Sequence, residues 1–199
     1  MKAIVFVDVQ NDFIKGGKLA FGYPEADNLQ DVVTFAKECV QDKNCKIYAT
    51  RDTHQETTFN GYHFDGDKKV QTISGGYLAT LEGKKLPVEH CIEETDGWMV
   101  ASQLLDVLLG NATFINKPTF GSYDLVDVMH EDFGNVGPDE IVICGYDLSV
   151  CVLSNAILLR AKYPNVKIAV KTKLCGDVDK AAFDAAIKIL QMQQVDVEF

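Results

Sequence analysis

Short runs dense in Val and Ile recur along the chain at residues 3–8, 46–50, 113–117, 140–145, 167–171 and 195–198. Their length and β-branched content are those of strands buried on both faces, as in a parallel sheet. Between most of them, at residues 28–41, 97–109, 148–163 and 179–191, apolar side chains return every three or four positions. That spacing lines one face of a helix. The alternation predicts right-handed β-α-β crossovers and an α/β fold, a three-layer α/β/α arrangement around a mostly parallel sheet of about six strands. Residues 1–199 read as one domain. The stretch at about 55–83, rich in Gly, Thr and Lys, exceeds an ordinary connection and is expected to be a functional loop or a small lid.

Open parallel sheets bind ligands beyond the carboxyl ends of their strands, where the winding reverses. Asp8 ends the first run, Asp52 and His54 follow the second, Lys117 ends the third and Cys151 follows the fourth. Each residue alone has a bland reading: Asp8 as a turn former, Lys117 as a solvated lysine, Cys151 as a small core residue. Together they supply the parts of acyl transfer, namely a nucleophile, a proton acceptor and a cation. Cys151 falls in the expected first turn of a helix, where the dipole and unpaired N–H groups favour a thiolate. Asp52, His54 and the distant His90 form a second group, whose donor types suit a divalent transition metal. The alternatives are a loop histidine and a core histidine.

Composition narrows the partners. A formal net charge of −10 argues against a phosphate backbone or an anionic membrane. No apolar run approaches the roughly 20 residues of a membrane span, and the opening run meets Asp8 rather than a small-residue cleavage site. The six cysteines contain no CxxC pair, so reduced thiols and a cytoplasmic location are expected.

The segments DVQNDF (8–13), RDTH (51–54), LPVEHCIEETDGW (86–98), KPTFGSYDL (117–125) and GYDLSVCVLSNA (145–156) together resemble the isochorismatase-like cysteine hydrolases, in particular their nicotinamidase-related branch. The resemblance implies a Rossmann-like sheet and a catalytic triad of Asp8, Lys117 and Cys151. It also implies an oxyanion hole from the backbone N–H groups of Asp147 and Cys151, next to a cis peptide at 146–147. The implied substrate is a small amide, nicotinamide converted to nicotinate being the first candidate, with Phe13 covering one ring face. Asp52, His54 and His90 then match a divalent metal site for zinc, iron or manganese, and no organic cofactor is implied. A homo-oligomer is expected, since relatives commonly assemble. The alternatives are a metal-free hydrolase of another amide or carbamoyl compound, and a non-catalytic member of the fold.

Several positions depart from that pattern. No second histidine follows His54 within a few residues, which leaves Thr58, a water or His63 to fill the gap. Ser149 stands where relatives have an Asp, and Pro87 where they have an aromatic residue. Asp147 puts a carboxylate beside the oxyanion hole, where it would repel developing negative charge unless it points away.

Overall fold

The computed structural model describes residues 1–25 and 27–199. Strand β1 (Lys2–Val7) leads to α1 (Leu29–Gln41), whose buried Leu29, Val32, Val33, Ala36 and Cys39 repeat at helical spacing. Next come β2 (Cys45–Asp52), a hairpin of β3 (Thr58–Asp65) and β4 (Lys68–Gly75), and the short helix α2 (Leu81–Lys85). Then follow α3 (Ser102–Leu108), β5 (Ala112–Lys117), α4 (Tyr123–Phe133) and β6 (Glu140–Gly145). A π-helical turn (Leu148–Val152) runs into α5 (Leu153–Lys162), and β7 (Lys167–Cys175), α6 (Lys180–Met192) and β8 (Asp196–Glu198) complete the order. Side chains cap three helices: Thr80 accepts from the Gly83 N–H, Ser122 from Leu125 and Asp179 from Ala182.

The main sheet has six strands in the order β5-β2-β1-β6-β7-β8, and every neighbouring pair is parallel. Helices α1 and α3 pack together, while α4, α5 and α6 pack in a row, so the sheet is covered on both faces as expected. Strands β1, β6 and β7 are buried almost throughout, which explains their unbroken apolar runs. The winding moves outward from β1 through β2 to β5, then returns to β6 and moves the other way. Its reversal therefore lies between β1 and β6. Lys117 is the register partner of Asp52, and Val7 is paired with both Thr50 and Gly145, so the strand exits are level with one another.

Three elements differ from their expected form. Residues 97–109 are a 3-10 turn (Asp96–Trp98) and α3 with an extended piece between them, because Met99 O accepts from Asn11 N and Ala101 N donates to Val9 O. Those two bonds hold the segment against the exit of β1 and forbid a continuous helix. The stretch 148–163 opens as a π turn before it becomes α5. The 55–83 stretch, expected as a functional loop or a small lid, is folded: β3 and β4 pair antiparallel, and a 3-10 turn (Tyr77–Ala79) then leads into α2. Among the described residues no helix is long and apolar enough to cross a membrane.

Candidate active site

The exits of β1, β2 and β5 and the turn after β6 converge on one buried cluster. Asp8 takes a positive φ of 51°, a conformation that Asp tolerates better than most residues, and its N–H donates to Thr50 O of the neighbouring strand. Its Oδ1 accepts from Thr50 Oγ1 at 2.7 Å, while Oδ2 lies 2.6 Å from Lys117 Nζ. Lys117 is fully buried, and Nζ also lies 3.4 Å from Cys151 Sγ and 3.2 Å from Asp52 Oδ1. The structure thus brings Asp8, Lys117 and Cys151 together, with one ammonium touching both other groups and donating also to Thr119 O at 3.1 Å.

Burial decides the protonation of this cluster. It works against the Lys117 ammonium, but Asp8, Cys151 and Asp52 outweigh it and hold the pKa well above the ordinary lysine value. Burial pushes the Asp8 carboxyl up, partly opposed by Lys117. Burial also raises the Cys151 thiol well above its usual value; Lys117 pulls it down, and Asp8 and Asp52 push it further up. This corrects the expectation of a favoured thiolate. Cys151 sits buried in a π turn beside two carboxylates, and burial with these two charges outweighs a single ammonium. The resting thiol is neutral, with a carboxylate of raised pKa next to it as a proton acceptor.

Hydrogen bonds fix the turn that carries Cys151 from several sides. Gly145 has φ of 124°, and a Cβ there would run into Val7 O, so only glycine lets β6 leave the sheet so close to β1. The Tyr146–Asp147 peptide is cis. Leu148 N donates to Gly176 O, Val150 N and Val152 N to Asp147 O, and Ser149 N and Oγ to the buried Asp177 carboxylate at 2.7 and 2.8 Å. Asn155 donates to Cys151 O at 2.8 Å and to Phe120 O at 3.1 Å, and accepts from Ser122 N. It thereby ties the turn to the loop after Lys117. Among the described residues no acceptor takes the Asp147 N–H.

A second cluster adjoins the first through Asp52. His54 Nε2 lies 3.0 Å and His90 Nε2 3.3 Å from Asp52 Oδ2, and each is 3.6 Å from Glu82 Oε1. These four donor atoms lie within 4.8 Å of one another. The fourth member is Glu82 of α2, not Thr58 or His63; His63 lies exposed on the hairpin against Thr72. Nitrogen and carboxylate donors in this number suit zinc, iron or manganese, and local chemistry fits a cation. The His90 Nδ1–H donates to Val88 O at 2.8 Å, so its Nε2 lone pair faces the cluster. Glu82 Oε1 is buried without a hydrogen-bond partner. Burial and Asp52 raise the Glu82 carboxyl; burial opposes the His90 imidazolium, but Asp52, the Val88 carbonyl and Glu82 together outweigh it and raise its pKa. Burial alone would lift Asp52, yet Lys117 and the two imidazoles hold it well below the usual carboxylate range. The cluster draws in positive charge.

Gln10 clamps Asp52 in place, accepting from its N–H at 2.7 Å and donating to its carbonyl at 2.8 Å. The Phe13 ring meets His90 edge-on at 5.7 Å, and buried Tyr77 packs on His54 at 4.7 Å and His90 at 5.1 Å. An apolar cleft of about 500 Å³, lined by Leu81, Glu82, Leu86, Pro118 and Phe120 among others, lies beside the second cluster. Residues 2–198 match the family described as Isochorismatase domain. The chain belongs to the isochorismatase family. It is 26% identical over 205 residues to a nicotinamidase of Escherichia coli, covering 96% of this chain and 90% of that one. The nicotinamidase/pyrazinamidase structure from Bacillus subtilis superposes with a TM-score of 0.77 at 17% identity, over 100% of this chain and 99% of the other. A pyrazinamidase of Pyrococcus horikoshii in complex with zinc gives 0.73 at 18% identity, over 100% and 99%. At that identity the two structures speak for the isochorismatase-family fold, in agreement with the architecture above.

Proposed function

We propose that this chain is a cysteine-dependent amidohydrolase that cleaves a small amide through a thioester, with nicotinamide as the first candidate substrate. The observation that carries the reading is one buried ammonium lying 2.6 Å from the Asp8 carboxylate and 3.4 Å from the Cys151 sulfur, at the point where the sheet's winding reverses. In this reading Asp8 takes the thiol proton as Cys151 Sγ bonds to the amide carbon. The carbonyl electron pair moves to oxygen, where the backbone N–H groups of Asp147 and Cys151 receive it. Collapse breaks the C–N bond, and Asp8 returns the proton to the leaving ammonia. Asp8 then deprotonates the water that attacks the thioester carbon, the C–S bond breaks, and the proton passes from Asp8 to the released Cys151 sulfur. Lys117 keeps a positive charge beside both partners throughout, so the proton moves without leaving two bare anions in a buried site.

Asp52, His54, Glu82 and His90 would hold a divalent metal, which when bound supplies a Lewis-acidic contact to a substrate heteroatom such as a ring nitrogen. Phe13 and Tyr77 pack these imidazoles and fix their aim. The nicotinamidase relatives support the choice of substrate. The apolar cleft beside Glu82 and Pro87, in place of a ring-stacking aromatic, favour a second reading in which a different small amide is preferred.

The test is ammonia release from nicotinamide and a panel of small amides, with mass spectrometry of Cys151 after exposure to an aldehyde analogue. Turnover that disappears in Cys151→Ala, with an adduct on Cys151, is the expected result. Undiminished turnover in Cys151→Ala would overturn the reading.

A further inference from the structure

One buried group next to the nucleophile has no part in the triad or the metal cluster. Asp147 precedes the π turn that carries Cys151, and its Oδ1 is buried with no hydrogen-bond partner. It makes no hydrogen bond or ion pair with Asp52, His54, Glu82 or His90 among the described contacts. The charged groups around it come from three directions: Asp8 at the exit of β1, Asp177 after β7, and His90 from the loop before Cys91. Lys117, from β5, lies beyond Asp8 and is already engaged with it. Asp177 is likewise committed, to Ser149 and to the Val178 N–H. Among the described residues no cation pairs with Asp147.

A buried polar atom without a partner is costly, and where such an atom lies beside a reacting group a catalytic role is one explanation for its persistence. The same residue offers its N–H, which no protein acceptor takes, to the place where the amidohydrolase reading puts the oxyanion. Its carboxyl faces Asp8 and His90 of the same site, and were it ionised within about 4 Å of the oxyanion, the anion's formation would slow by roughly a thousandfold at an effective dielectric near 20. A carboxylic acid at the same place would donate a hydrogen bond instead. We propose that Asp147 acts in the reaction as a neutral carboxylic acid whose hydroxyl is a third donor to the oxyanion, beside the two backbone N–H groups. The inference rests on the amidohydrolase reading given above. Asp147 keeps its proton throughout: the thiol proton still passes from Cys151 to Asp8 and on to the leaving nitrogen. Burial, then the neighbouring Asp177 and Asp8 carboxylates, push its pKa up to about 7, so the acid form is populated at neutral pH.

The experiment is the pH dependence of kcat from pH 5 to 9 for the intact protein and its Asp147→Asn and Asp147→Ala variants, on the amide with the highest turnover. The wild type should lose activity with rising pH through an alkaline limb centred near pH 7. Asp147→Asn, which keeps a neutral donor, should lack that limb and recover most of the rate that Asp147→Ala loses. Asp147→Ala should be slower by roughly tenfold or more at pH 6, a loss on the scale of one oxyanion donor. A wild-type limb that survives in Asp147→Asn, or an Asn variant no faster than the Ala variant at pH 6, would overturn this proposal while leaving Cys151-dependent hydrolysis intact. Absence of Cys151-dependent turnover in the wild type would overturn both readings.

Discussion

Replacing Lys117 with Met tests whether the ammonium is the charge that makes this site foldable. Its Nζ lies 2.6 Å from Asp8 Oδ2 and 3.2 Å from Asp52 Oδ1, with all three side chains buried. At an effective dielectric near 20 the two gross attractions are about 6 and about 5 kcal/mol, most of which offsets the cost of bringing the charges out of water. Breaking such a pair by removing one partner typically costs about 3–5 kcal/mol, because a charge is left buried and alone. Met fills much the same space, so packing adds little. For a chain of this size that loss corresponds to a Tm drop of about 6–20 °C. Both should be read by urea and thermal unfolding in chelator, so that no cation masks Asp52. The sign with pH follows from the carboxyls. The folded pKa of Lys117 is raised, so its own contribution is constant below the unfolded lysine value and fades only in strong alkali. In Lys117→Met the Asp8 carboxyl, already raised by burial, loses the cation that opposes the rise, and Asp52 keeps only the two imidazoles against its burial. Their burden is therefore least in acid and grows as pH rises from the unfolded carboxylate value. The variant should be closest to wild type near pH 5 and furthest from it near pH 8. A loss under about 1 kcal/mol, or one that does not change over that range, would refute the argument.

Glu82→Gln should weaken zinc binding by roughly tenfold or more, through loss of an anionic ligand, whereas His63→Ala should leave it unchanged; equilibrium titration against a chromogenic chelator separates the two. Asp177→Ala removes the acceptor for Ser149 N and Oγ and should cost about 1–3 kcal/mol in urea unfolding, together with a lower kcat from a looser nucleophile turn. Gly145→Ala should yield little soluble protein, because its Cβ would meet the Val7 carbonyl and its φ is left-handed; expression equal to wild type would contradict the close strand approach.

The sheet was legible because its strands are buried on both faces and advertise themselves as apolar runs. The site was legible because Asp8, Asp52, Lys117 and Cys151 stand where those runs stop. What escaped notice lacks such punctuation. Glu82 lies in the five-residue helix LEGKK, whose sequence looks like any solvated turn; only the fold carries it back over the imidazoles. The hairpin strands β3 and β4 are exposed along most of their length, so no buried face imposes alternation, and the register shift near Gly61 breaks what pattern remains. Helix α4 buries only Leu125, Val126 and Met129, too few positions to stand out. Asp177, Gln10 and Asn155 act through hydrogen bonds to backbone that come from distant parts of the chain, and sequence spacing carries no trace of them. The neutral Cys151 thiol was hidden for a related reason, since a thiol's environment is set by neighbours that meet only after folding.

The reversal between β1 and β6 means that the sulfur is supplied from one side of the winding and the carboxyl and ammonium from the other. The loop between α4 and β6, with Val136 88% exposed, separates the segment holding Asp8, Asp52 and Lys117 from the segment holding Cys151. If the amidohydrolase reading holds, two fragments cut there would each be chemically mute, and amidolytic signal from their mixture would report directly on their reassociation.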